Sequence, residues 1–116
     1  NGDQLLEMIR QNAKRQALDY GGILQVSGIR YQWNHSGGDD VLLKGVTVNG
    51  QPVERGKIYT VATVDFIAIA NGERYLGFSP QEITEIGTLF ADAVSEIVRE
   101  KGVIVSEIDG RIQKVK

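Results

Sequence analysis

Cysteine is absent from this 116-residue chain. That removes disulfides, zinc–thiolate sites and cysteine nucleophiles together, and it fits either a cytosolic or an exported bacterial protein. A single histidine, His35, argues against a histidine-rich metal centre and against a Ser-His-Asp triad. There is no basic excess: thirteen Lys and Arg stand against fifteen Asp and Glu, so nucleic acid is not an expected partner. No apolar run approaches 18 residues, so no membrane-spanning helix is expected. Nor are there internal repeats, heptads or low-complexity tracts. The chain opens on Asn1-Gly2-Asp3, with no signal-peptide pattern, as a mature secreted protein or an excised domain would.

What remains is enough apolar residue for one core but not for two, which sets the expectation of a single domain. Leu5, Leu6, Met8, Ile9, Ala13 and Ala17 recur at spacings of three and four, with Glu7, Arg10, Gln11 and Lys14 on the other face. This predicts a first helix, with Asn1 and Gln4 placed as a capping box and Gly21-Gly22 ending it. Ile23 to Trp33 reads as a strand, with Ile29, Tyr31 and Trp33 alternating against Arg30 and Gln32, and with Ser27-Gly28 as a bulge or close approach. Asn34 to Asp40 reads as a loop and Val41 to Val48 as a second strand. Asn49-Gly50 is a hairpin turn signal. Ile58 to Ile67, dense in Tyr, Thr, Val and Ile, predicts a third strand. A loop over Ala70 to Pro80 leads to a second helix with Thr88 as N-cap and an apolar stripe of Leu89, Phe90, Ala93, Val94, Ile97 and Val98, closed by Lys101 and Gly102. Val103 to Val105 and Arg111 to Val115 read as short closing strands. The order α-β-β-β-α-β predicts an α+β domain with two main helices and a mixed or mostly antiparallel sheet.

Patterning alone ends at a soluble α+β domain; four blocks carry more. Gly2-Asp3-Gln4-Leu5-Leu6-Glu7 is followed by Gly22-Ile23-Leu24-Gln25-Val26-Ser27-Gly28-Ile29-Arg30-Tyr31. After the hairpin comes Lys57-Ile58-Tyr59-Thr60-Val61-Ala62-Thr63-Val64-Asp65-Phe66-Ile67, and Asp109-Gly110-Arg111-Ile112 closes the chain. In this order the blocks resemble the C-terminal domain of the 5′-nucleotidase, UDP-sugar hydrolase and 2′,3′-cyclic-nucleotide phosphodiesterase family. Its members carry a G-x-x-L-L-E helix, an F-L-Q-V-S-G-[LI]-R-Y strand, a Y-x-V-A-T-N-D-F strand and a final D-G-R-I.

The resemblance implies a nucleotide- or nucleoside-recognition domain that serves an N-terminal metallophosphoesterase domain. Two divalent metal ions are expected in that other domain and none in this chain. The family's metal-ligand motifs do not occur here, and its substrate-gripping arginines lie upstream of the first helix. The resemblance therefore implies that residues 1–116 lack the domain's N-terminal part and do not hydrolyse substrate alone. It also implies a periplasmic, cell-surface or extracellular location. A sheet missing its first strand would expose an edge, which allows a homodimer.

Residue by residue, the family's first stacking ring falls on Ile23. The second ring, in the G-G-D-G-[FY] loop, falls on Tyr75 of Asn71-Gly72-Glu73-Arg74-Tyr75. Glu73 keeps an acid and Arg74 replaces a glycine, while Ala68 to Ala70 is one residue longer than the pattern. Gln25 keeps a polar amide able to meet a base edge. The expected binding set is thus Gln25, Tyr75, Ile23, Asn71, Gly72 and Glu73, with a base pocket weakened or retuned by the loss of one ring. Plainer readings stand beside it. Tyr75 with Leu76 and Phe78 would anchor a loop to the core, Gln25 would face solvent, and Ile23 would belong to the core. Arg74 would be a solvated loop charge, and Arg30 and Arg111 would be surface or ion-pair residues. On those readings the chain is a non-catalytic structural or interaction domain.

Three other features read as surface. Asp39-Asp40 is a turn, Asn34-His35-Ser36 is a glycosylation sequon in a polar loop with His35 exposed, and Glu82, Glu85, Asp92 and Glu96 form a solvated face.

Overall fold

Helix α1, Gly2–Ala17, begins where its first turn is satisfied from two sides. The Asn1 side chain accepts from the Gln4 N–H (3.0 Å), and the Gln4 side chain accepts from the Asn1 nitrogen (2.8 Å). These are the reciprocal bonds of a capping box. The N–H groups of Gly2 and Asp3, which have no partner within the helix, donate to the carbonyls of Lys57 (3.0 Å) and Arg55 (3.2 Å). Gly2 is required there, because a Cβ would collide with the Glu54 carbonyl. The apolar stripe is buried through Leu5, Met8, Ile9 and Ala13. The helix ends earlier than Gly21-Gly22: Leu18 is the C-cap, and Asp19 takes the left-handed conformation (φ 54°).

The computed structural model describes residues 1–35, 37 and 40–116. Strands β1 (Ile29–His35) and β2 (Val41–Val48) pair antiparallel, and β3 (Gln51–Pro52) returns along β2 through the Asn49-Gly50 turn. Both turn residues have positive φ (49° and 81°), the geometry that suits the twist of a two-residue hairpin. Register slips by one between the pairs Arg30↔Thr47 and Gln32↔Lys44, and Gly45 (φ 59°) lies at the slip, as a bulge requires. Strand β4 (Ile112–Lys114) lies parallel to β1, giving a mixed sheet of order β3-β2-β1-β4. Ile29, Tyr31 and Trp33 face α1 and build the core with its stripe, while Arg30 and Gln32 face outward. The class is α+β, as the patterning predicts.

Three expected strands are shorter or missing. Residues 23–28 are not strand; the chain there is bonded to a side chain of α1, and Gly28 (φ 75°) turns it before pairing starts. Ile58 to Ile67 is not strand either. Ile58 is 76% exposed, and the segment ends in a single π-helical turn, Phe66–Ala70, that Asp65 caps by accepting from the Phe66 N–H (2.7 Å). High β-propensity pairs nothing without a neighbouring edge to accept it. Val103 to Val105 is likewise exposed and unpaired.

Helix α2 (Gly72–Leu76) sends Leu76 into the core and ends at Gly77 (φ 84°). Helix α3 (Phe90–Lys101) forms where the apolar stripe predicts it, but its N-cap is Leu89 rather than Thr88, and its stripe stays outside the core.

Candidate functional site

The expected site residues lie on two segments, and one buried side chain fixes the first of them. Asn12 sits in the apolar stripe of α1 with only 2% of its surface exposed. Its Oδ1 accepts from the Leu24 N–H (2.7 Å), while its Nδ2 donates to the Leu24 carbonyl (2.9 Å) and lies 3.1 Å from the Tyr31 hydroxyl. A side-chain amide thus replaces the strand partner that residues 23–26 lack. Leu24 is held inward, and the neighbouring Ile23 and Gln25 are exposed. Burial raises the Tyr31 hydroxyl's pKa above its ordinary value, and the Asn12 bond opposes this. Tyr31 therefore stays neutral and anchors the clamp.

The second segment is α2 with the π-helical turn before it. Asn71 donates from Nδ2 to the Phe66 carbonyl (2.9 Å), closing that turn. Gly72 is buried, and a Cβ there would meet Pro80 at 2.8 Å and the Phe78 carbonyl at 2.9 Å. Glu73 is exposed and accepts from the Ser79 hydroxyl (3.4 Å). These three shape the loop that presents Tyr75.

Tyr75 is where the segments meet. Its half-buried ring lies so close to Gly22 that a Cβ there would stand 2.8 Å from Cε1. The glycine lets the backbone leading into Ile23 approach the ring. The Phe66 ring centroid is 6.1 Å away at 56°, within the range of tilted aromatic pairs. The guanidinium carbons of Arg15 and Arg74 stand 5.1 and 5.5 Å from the ring centroid, within cation–π range. Arg15 also donates to the Tyr75 carbonyl (3.1 Å). Burial holds the Arg15 pKa below its ordinary value; Tyr75 opposes the shift, and the neighbouring Arg74 charge adds to it.

Several plain readings are thereby corrected or kept. Ile23 is 38% exposed and outside the core, against the expectation that it packs inside. Gln25 does face outward. Arg74 is not merely solvated, since it lies on the Tyr75 ring. Arg30 and Arg111 are ion-pair residues, as expected: Arg30 reaches Asp109 at 3.2 Å and Arg111 reaches it at 2.9 Å, beside a cleft of about 260 Å³. Glu82, Glu85, Asp92 and Glu96 are exposed. His35 is half-buried at the end of β1 rather than exposed. Ser36 of the sequon and Asp39 of the acidic pair lie outside the described residues.

Asn12, Arg15, Gly22 and Phe66 were not singled out for the site by sequence reasoning. Asn12 carries a readable signal, a polar residue inside an apolar helical stripe. The others depend on long-range proximity. Among the described residues, no three His, Cys, Asp or Glu side chains gather as donors for a metal ion. No helix of the described chain is long and apolar enough to cross a membrane.

Against known proteins, residues 1–80 match the family model described as 5′-nucleotidase, C-terminal domain. The match spans α1, the Asn12 clamp, the hairpin and the whole Tyr75 neighbourhood, and it stops before α3 and β4. No curated protein and no solved structure gives a match.

Proposed function

Because the chain belongs to the family of 5′-nucleotidase C-terminal domains, we propose that it recognises a nucleotide or nucleoside on behalf of a metal-dependent phosphohydrolase. The observation that carries this reading is the close approach of Gly22, the residue before Ile23, to the half-buried Tyr75 ring. An aromatic face offers a base about 1–3 kcal/mol of stacking, whichever base it is. Ile23 keeps apolar contact where the family has a ring, and the exposed amide of Gln25 can both donate to and accept from a base edge. Asn71, Gly72 and Glu73 shape the presenting loop. Hydrolysis belongs to the two-metal N-terminal metallophosphoesterase domain that the family pairs with this one, in an exported protein. A metal-supplemented phosphatase assay on the 116-residue chain should give no turnover.

The test is an NMR titration of the labelled chain with adenosine, AMP, uridine and UDP-glucose. Saturable shifts centred on Gln25 and Tyr75 are expected for at least one ligand. Tyr75→Ala should weaken that ligand roughly 5- to 150-fold, the equivalent of the lost stacking. Absence of shifts for every ligand favours the second reading, a structural domain whose pocket is lost. One observation speaks for that reading: the Tyr75 ring already carries two guanidiniums that a base would have to share or displace.

A further inference from the structure

Three Asn-Gly pairs occur in the chain: Asn1-Gly2, Asn49-Gly50 and Asn71-Gly72. In such a pair the glycine nitrogen can attack the asparagine side-chain carbonyl carbon, because no Cβ on the second residue hinders the approach. Two of the pairs are held against that reaction. The Gly2 N–H donates to the Lys57 carbonyl (3.0 Å), while the Asn1 side chain accepts from the Gln4 N–H (3.0 Å). Gly72 is buried at the start of α2, and the Asn71 amide donates to the Phe66 carbonyl (2.9 Å). Asn49 and Gly50, by contrast, are both exposed. Among the described residues, the Asn49 amide has no hydrogen-bond partner and the Gly50 N–H makes no backbone bond. The turn is also weakly closed. Its return strand β3 is two exposed residues long, and Pro52 has no N–H to give to the ladder.

We propose that Asn49 is a site of self-modification, at which the hairpin turn converts its own asparagine to aspartate and isoaspartate. The Gly50 nitrogen loses its proton and bonds to the Asn49 Cγ. The Cγ–Nδ2 bond breaks, and Nδ2 takes up a proton and leaves as ammonia. Water then opens the resulting cyclic imide, at the Cγ–N bond to give aspartate or at the backbone C–N bond to give isoaspartate. The net change consumes one water and releases one ammonia, with no oxidation or reduction. The positive-φ turn must open for the nitrogen to reach Cγ, and the short, exposed β3 makes that opening a local event. The consequence falls on the cleft of about 260 Å³ that Asn49 and Gly50 line together with Arg30, Asp109 and Arg111. Conversion adds a second carboxylate to a cleft whose two guanidiniums are now paired with Asp109 alone. Isoaspartate also adds a carbon to the main chain of a two-residue loop, whose length sets the hairpin register. None of this depends on base recognition.

Incubation of the full 116-residue chain at neutral and mildly alkaline pH tests the assignment, read by peptide mass spectrometry with fragmentation that separates aspartate from isoaspartate. Both products are expected at Asn49, at least about tenfold faster than at Asn1 or Asn71. The rate should rise with pH, since the attacking nitrogen must first lose its proton. Asn49→Gly keeps a turn of the same positive-φ type and removes the amide, so the early acidic species seen on ion exchange should vanish in that variant. In urea the rates at Asn49 and Asn71 should converge, because the fold no longer protects either. Conversion at Asn49 no faster than at Asn71 in the folded chain overturns the proposal. So does an early acidic species that persists in Asn49→Gly. A preference for Asn49 that is as large in urea as in the folded chain also overturns it, since the turn would then have no part in the reaction.

Discussion

Asn12 shows how one residue joins fold to site. It is the polar member of an otherwise apolar stripe, and all three of its hydrogen bonds cross from α1 to other parts of the chain. Asn12→Ala leaves the Leu24 N–H, its carbonyl and the Tyr31 hydroxyl short of a partner. Unsatisfied groups of this kind cost about 1–3 kcal/mol each where burial is complete. Leu24 is only partly buried, so the expected loss is about 2–4 kcal/mol in all, measured by urea denaturation. A loss under about 0.5 kcal/mol would mean that water replaces the amide. Asn12 is legible in the sequence as an anomaly of the stripe, but its partners are not. They lie 12 and 19 residues away, and only the finished packing selects them.

At the scale of elements, what reads well is local. The α1 capping box needs residues three apart, and the Asn49-Gly50 turn needs two adjacent residues able to hold positive φ. What reads poorly needs a distant partner. Ile58 to Ile67 has the composition of a strand but finds no edge, and although Arg111 to Val115 reads as a strand and contains β4, its parallel pairing with β1 is not legible. That pairing is held by more than its ladder. Asp109 accepts from the Arg111 Nε (2.9 Å) and from Arg30 (3.2 Å), while Arg111 reaches back to the Val26 carbonyl (2.8 Å). The Arg111 hydrogen bond, aided by both nearby positive charges, holds the Asp109 carboxyl below the usual carboxylate range. A depressed carboxylate stabilises the fold above its unfolded pKa, near 3.9, and that contribution is lost as pH falls through the lower folded value. Asp109→Asn should therefore lower Tm at pH 6, and the gap from the parent chain should close as pH drops from about 4 toward 2. A gap that is constant with pH would assign the clasp to hydrogen-bond geometry and not to charge.

The whole molecule carries more surface than its mass predicts. A folded monomer of 12.7 kDa exposes about 6,200 Å² on the usual scaling, whereas this chain exposes 8581 Å². Much of the surplus is apolar and lies on one side of the family match, in α3 and the segments flanking it: Phe90 is 69% exposed and Ile97 46%. The amphipathic pattern foretells a stripe on α3, since periodicity is a property of the helix alone. It is silent on what the stripe meets, because that depends on the surfaces the rest of the chain leaves free. The outer sheet face offers α3 little, being lined by Arg30, Gln32 and Lys44, and the inner face is already filled by α1. A stripe outside the core contributes little to stability, so Val94→Gln with Ile97→Gln should shift the unfolding free energy by less than about 1 kcal/mol in total. The same pair of changes should reduce binding of a hydrophobic dye and raise solubility, because an apolar patch of this kind drives association. Buried aliphatic side chains behave oppositely, and truncating a core residue such as Ile9 to Ala costs about 2–5 kcal/mol. A loss on that scale from the double glutamine variant would instead make the α3 stripe a stabilising apolar contact.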